Sequence, residues 1–177
     1  GAFKVLLQSG NADSGIESLM LDNIEGLSIN AGAGSDSITI GDLTGTDVTL
    51  FAVDLSSPEV SGSGVEGDTV VFSGTEFADR LTVQGVVAGF DQTNLGAAPG
   101  DVPPPFKNIV QLVDDTPAGN GMAARNSNFF IINSSPDRDS LVVRGLGGDD
   151  VLTLSAGTAG IDVSSLIAVT LDGGADE

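Results

Sequence analysis

The chain has 177 residues with no Cys and no His, and it sets 25 Asp+Glu against 6 Lys+Arg, a formal net charge of −19. Without thiols or imidazoles, Cys nucleophiles, Ser-His-Asp triads and the usual zinc and copper ligands are excluded, so a bound metal has to be hard and oxygen-ligated. So acidic a surface repels phosphate backbones, which removes nucleic acid as a partner and leaves solubility or cation binding as the role of the charge.

Hydrophobic residues make up 40% of the chain but aromatics only 5%, with no Trp or Tyr, so the core has to be built from Val, Ile, Leu and Ala. Thin layers of small aliphatic residues suit stacked or sandwiched strands. No run of 18 apolar residues occurs, so no membrane span is expected. The opening GAFKVLLQ, without an initiator Met, reads as an excised piece of a larger protein.

In chain order, residues 3–8 form a short apolar run expected to be a strand or a cap, and residues 10–15 a polar turn. Residues 16–24 alternate imperfectly, which predicts a strand rather than a short helix from Ser14. Residues 27–29 lead into a first Gly/Asp turn, and residues 41–46 make another. The run VTLFAVDL at 48–55 alternates well and predicts a strand, followed by a Ser/Gly/Pro loop at 56–67. Residues 85–128 break the pattern and hold five of the seven prolines. Proline cannot donate to a ladder, so this segment reads as an irregular Pro/Gly-rich insertion with one strand at 109–113. The run FFIIN at 129–133 predicts a strand, 133–138 a turn, and IDVSSLIAVTL at 161–171 the last strand or two.

One unit recurs. Residues 139–154 read DSLVVRGLGGDDVLTL, two aliphatic runs around a Gly/Asp turn, and residues 68–83 read DTVVFSGTEFADRLTV. The two align without a gap at an offset of 71 residues, Asp68 on Asp139, Gly74 on Gly145, Asp79 on Asp150 and Leu81 on Leu152. A shorter copy, LSINAGAGSDSITI at 27–40, aligns at an offset of 114, with Asp36 on Asp150. The run LDGGAD at 171–176 opens a fourth. With no convincing helical period, turn signals spaced roughly 20 residues apart predict an all-β fold, a β-solenoid in the form of a right-handed parallel β-helix. An antiparallel β-sandwich is the alternative. The whole chain, 1–177, reads as a single module.

The nonapeptide AGAGSDSIT at 31–39 resembles the hemolysin-type (RTX) calcium-binding repeat G-G-x-G-x-D-x-U-x, with U a large aliphatic residue. Gly32, Gly34, Asp36 and Ile38 match it. GLGGDDVLT at 145–153 matches at Gly145, Gly148, Asp150 and Leu152, and GTEFADRLT at 74–82 at Gly74, Asp79 and Leu81. The pattern looks like repeat regions of very large secreted bacterial proteins. The resemblance implies calcium at the turns, with Asp36, Asp79, Asp149 and Asp150 as metal-ligating candidates. In tandem rolls each ion sits between successive turns, whereas here the copies are far apart. The competing reading makes these aspartates turn residues that cap backbone N–H groups.

Asp149-Asp150 and Asp114-Asp115 are paired carboxylates, and Arg80, Arg125, Arg138 and Arg144 are candidate basic partners. Neighbours on a strand point to opposite faces, so neither pair is by itself a catalytic dyad, and the chain reads as a non-enzyme. The expected function is that of a structural scaffold in a secreted or cell-surface bacterial protein, stabilised by Ca²⁺ at the Gly/Asp turns. A carbohydrate-binding or carbohydrate-cleaving β-helix and an adhesive module working through the insertion are the alternatives, with an extracellular protein or polysaccharide as partner.

Overall fold

The structure, a computed structural model, describes residues 3–8, 17–21, 24–56, 67–86, 109–119, 123–157 and 160–175. The expected turn at 10–15, most of the 56–67 loop and residues 87–108 and 120–122 of the expected insertion lie outside the described residues. Twelve strands are described: β1 (Phe3–Gln8), β2 (Glu17–Leu21), β3 (Gly26–Asn30), β4 (Ser37–Ile40), β5 (Leu50–Asp54), β6 (Thr69–Ser73), β7 (Arg80–Val86), β8 (Ile109–Asp114), β9 (Ser127–Ile132), β10 (Ser140–Arg144), β11 (Val151–Ser155) and β12 (Ala168–Asp172). A 3-10 turn at Val163–Ser165, capped by the Asp162 carboxylate on the Ser164 N–H, precedes β12.

The strands form two six-stranded sheets. The first has the order β12-β10-β6-β4-β1-β2 and the second β11-β7-β8-β9-β5-β3. From β3 to β7 and again from β9 to β12 the chain changes sheet at every connection, so consecutive strands face each other and strands two or more apart pair side by side. Parallel pairing joins β3 to β5, β5 to β9, β4 to β6, β6 to β10, β10 to β12 and β7 to β11.

The expected solenoid is corrected by this topology, and so is its antiparallel alternative. The β-rich character holds, but both sheets are mixed and neither closes. Antiparallel pairs join β7 to β8 and β8 to β9 in the middle of the second sheet, and β1 to β2 and β4 at one end of the first. The physical reason lies in β8. Its sequence IVQLVD buries Ile109, Val110, Leu112 and Asp114, and a strand covered on its inner face and paired on both edges belongs in the sheet centre. The prolines around it fall outside the strand, so they do not break the ladder there.

The two sheets share one core. In the first, like residues sit on like along the pairing: Ile38 on Val70 on Leu141, and Ile40 on Phe72 on Val143. In the second, Leu81, Val83, Leu112, Phe129, Phe51 and Val53 face them. Aliphatic residues dominate, as composition requires, but rings sit at the centre. Phe129 lies 4.5 Å from Phe72 of the opposite sheet, edge to face, and 6.1 Å from Phe51 of its own.

Candidate functional site: the aspartate-bearing turns

An aspartate stands immediately before several strands, and its two ends do different work. Its carbonyl continues the ladder: Asp36 accepts from the Thr69 N–H, Asp68 from Ser140 and Asp79 from Val151, at 2.8, 2.9 and 2.8 Å. Its side chain holds the turn of the neighbouring rung. Oδ1 of Asp68 accepts the Asp36 N–H at 2.9 Å, and Oδ1 of Asp139 accepts the Asp68 N–H at 2.9 Å. In the second column Oδ1 of Asp150 accepts the Asp79 N–H at 2.8 Å. A backbone N–H at a strand entrance has no ladder partner of its own, and a buried one left unbound is costly. A short carboxylate reaching over from the next rung supplies that partner, at about 1.5–3 kcal/mol for a charged acceptor.

The second carboxylate oxygen folds back over the turn that precedes it. Asp79 Oδ2 accepts the Thr75 N–H at 2.6 Å, and Asp139 Oδ2 accepts the Ser135 N–H at 2.7 Å. This contact explains the Gly five residues before the Asp. A Cβ on Gly74 would stand 2.1 Å from Asp79 Oδ2, and one on Gly145 would stand 1.9 Å from Asp150 Oδ2. The Gly and the Asp of the repeat are one device, in which the missing side chain makes room for the carboxylate.

Asp79 is only 2% exposed, and a carboxylate so deeply buried needs a partner. Arg125 is its counter-ion. Its Nη2 donates to Asp79 Oδ1 and, at 2.9 Å, to Thr116 Oγ1, while its Nε lies 3.0 Å from Asp114 Oδ2. Thr116 Oγ1 in turn donates to Asp114 Oδ1 at 2.6 Å and accepts from the Arg80 N–H at 2.8 Å. Of the four arginines considered as basic partners, Arg125 is the one that forms ion pairs among the described residues. One guanidinium thus ties β7, the end of β8 and the approach to β9 together.

Burial pushes the Asp114 carboxyl above its ordinary 3.8, against the lowering effect of the Thr116 hydrogen bond and of Arg125. The folded chain therefore takes up this proton at a higher pH than the unfolded chain does. The contribution of this group to stability is fully present below pH 3.8 and declines as pH rises through the folded pKa. An NMR titration of the side-chain carboxyl carbons is expected to give Asp114 a midpoint above 3.8; a midpoint at or below that value would mean that Arg125 outweighs burial.

The four metal-ligating candidates are not gathered at one place. Asp79 and Asp150 are neighbours in one column, Asp36 belongs with Asp68 and Asp139 in the other, and Asp149 is an exposed turn residue. The offset of 114 between Asp36 and Asp150 is thereby corrected: Asp36 pairs at a separation of 32 residues with Asp68, in the other sheet. Calcium takes 6–8 oxygen ligands. Asp79 and Asp150 give an oxygen to a backbone N–H, and Asp79 also holds a guanidinium. Among the described residues no group of three or more His, Cys, Asp or Glu could hold a metal ion. Those Asp79 and Asp150 oxygens are already committed to backbone N–H groups and a guanidinium. The carboxylate pairs are split as strand geometry demands, with Asp114 buried and Asp115 exposed.

The Gly/Asp nonapeptide does not contain Asp68, Asp139, Asp114, Thr116 or Arg125, although Asp114 and Arg125 stand among the paired carboxylates and basic partners of the sequence. A signal existed for the first two, which open the two long copies at matching positions. No helix among the described residues is long and apolar enough to cross a membrane. Comparison with protein-family models, with curated proteins and with solved structures gave no match.

Proposed function

We propose that the chain is a structural scaffold module of a secreted or cell-surface bacterial protein, and that its acidic turns hold it together without a metal. The observation that supports this reading is the Asp36–Asp68–Asp139 column, in which carboxylates of successive rungs bind the backbone N–H groups of their neighbours. In this reading the acidic residues divide into two groups: buried aspartates that serve the turns, and exposed ones that keep the surface soluble. Rigidity comes from parallel strands in register and a shared aliphatic core.

Thermal unfolding followed by circular dichroism, in EDTA and then in millimolar calcium with magnesium as control, tests the proposal. The expected result is a melting temperature unchanged to within about 1 °C. A ligand at a hundred times its Kd adds about 2.7 kcal/mol, so a specific site would show as a calcium-only rise of several degrees. That rise would overturn the metal-free reading and return Asp36, Asp79, Asp149 and Asp150 to the role of ligands.

A further inference from the structure

The outward faces of the two sheets differ. In the second sheet that face carries Arg80, Gln84, Gln111, Asn128 and Asp54. Its amides are tied together, Gln84 to Gln111 at 2.7 Å and Gln111 to Asn128 at 2.9 Å. In the first sheet Ile38, Val70, Leu141 and their neighbours point into the core, so the alternate residues of β4, β6, β10 and β12 point out. Parallel pairing sets these in two rows: Ser37, Thr69, Ser140 and Ala168 in one, Thr39, Val71, Val142 and Thr170 in the other. Those on β4 and β12 are exposed, and those on the two strands between are half-buried.

These side chains are all small and none is charged, in a chain with a net charge of −19. Strand propensity accounts for the Thr and Val, but it does not keep Lys, Glu and Arg off every one of these outward positions. One row farther along the same face charge returns, with Arg144 beside Asp172. The hydroxyls are also ordered: Thr69 Oγ1 and Ser140 Oγ share a hydrogen bond of 3.1 Å.

We propose that this face binds ice, by holding a layer of water in lattice positions. Neighbouring strands stand about 4.8 Å apart and alternate residues about 6.6 Å apart along a strand, and the oxygens of hexagonal ice repeat at distances near both. Hydroxyls donate and accept hydrogen bonds as water does. The methyl groups of Thr and Val restrict the waters beside them, and no charge is there to pull water out of the lattice. Other occupants fit less well. The face covers on the order of 300 Å², too little for a stable protein partner, which takes about 800 Å² per side. It has no aromatic ring on which a sugar could stack and no carboxylate for a mineral cation. The inference adds a ligand to the scaffold reading and does not depend on it.

Partition of the full chain into a slowly growing ice front is the test. Ice excludes ordinary solutes, and the chain is expected to be enriched in the ice fraction over a soluble protein of similar size and charge. Val142→Lys, which sets a charge in the middle of the face, is expected to lose that enrichment. So is the double variant Thr39→Lys, Thr170→Lys, whose substitutions fall at exposed positions and are expected to leave the fold intact by circular dichroism. Thr153→Lys, at an exposed position of β11 in the other sheet, is the control and is expected to keep the enrichment. Three results would overturn the proposal: no enrichment of the unmodified chain, enrichment unchanged in both face variants, or an equal loss in Thr153→Lys.

Discussion

Arg125→Met lowers the free energy of unfolding by about 3 kcal/mol, at the lower end of the range for breaking a buried ion pair. The substitution keeps much of the apolar stem and removes only the cation, so packing changes little. What it leaves behind is the source of the cost: Asp79, with a fully buried side chain, and Asp114, nearly so, both without their counter-ion. Urea unfolding at pH 7 measures the loss. Arg125→Lys restores a charge but not the fork that reaches Asp79, Asp114 and Thr116 together, and it recovers only part of the stability. Adding Asp79→Asn to Arg125→Met makes the decisive cycle. If the pair is the cause, the double variant is more stable than the sum of the two single losses. Additive losses would show that Arg125 acts through its packing alone.

Phe129→Ala costs about 3–5 kcal/mol, the usual range for removing a ring from a packed core. Phe129 sits on β9 between β5 and β8, paired in register with Phe51 and Leu112, and its ring touches Phe72 across the two sheets. Its removal therefore loosens the contact that holds the sheets face to face, at a place where small aliphatic neighbours cannot fill the gap. Since a domain of this kind is stable by only about 5–15 kcal/mol in all, the variant is expected to melt far earlier. Phe129→Leu fills more of the space and is expected to lose less than half as much. Phe77, 43% exposed at a turn, is the control: Phe77→Ala is expected to change stability by no more than about 0.5 kcal/mol. Equal losses at Phe77 and Phe129 would show that the inter-sheet contact is not what the ring contributes.

The stacking of the two long copies is legible in the chain. Parallel strands in register place like residue on like, so the gapless alignment of 68–83 with 139–154 is also the pairing: Thr69 lies on Ser140 and Arg80 on Val151. The opening of a further copy at 171–176 is likewise realised, with Arg144 on Asp172 and Gly147 bridged to Ala175. The Gly-to-Asp spacing of the turns was legible because it answers a local steric demand, a carboxylate lying where a Cβ would be.

Which sheet each copy joins is set by long-range packing. A Gly/Asp turn reads the same whichever sheet it leads to, so Asp36 aligns with Asp150 by sequence yet stacks on Asp68 in space. Tertiary structure also decided that IVQLVD is a central strand, because its burial depends on β7 and β9, which lie far from it in sequence on one side. Finally it decided the partner of Asp79. Arg125 is 46 residues away in a stretch without periodicity, and a long-range ion pair leaves no pattern in the chain; only the need of a buried carboxylate for a cation selects it.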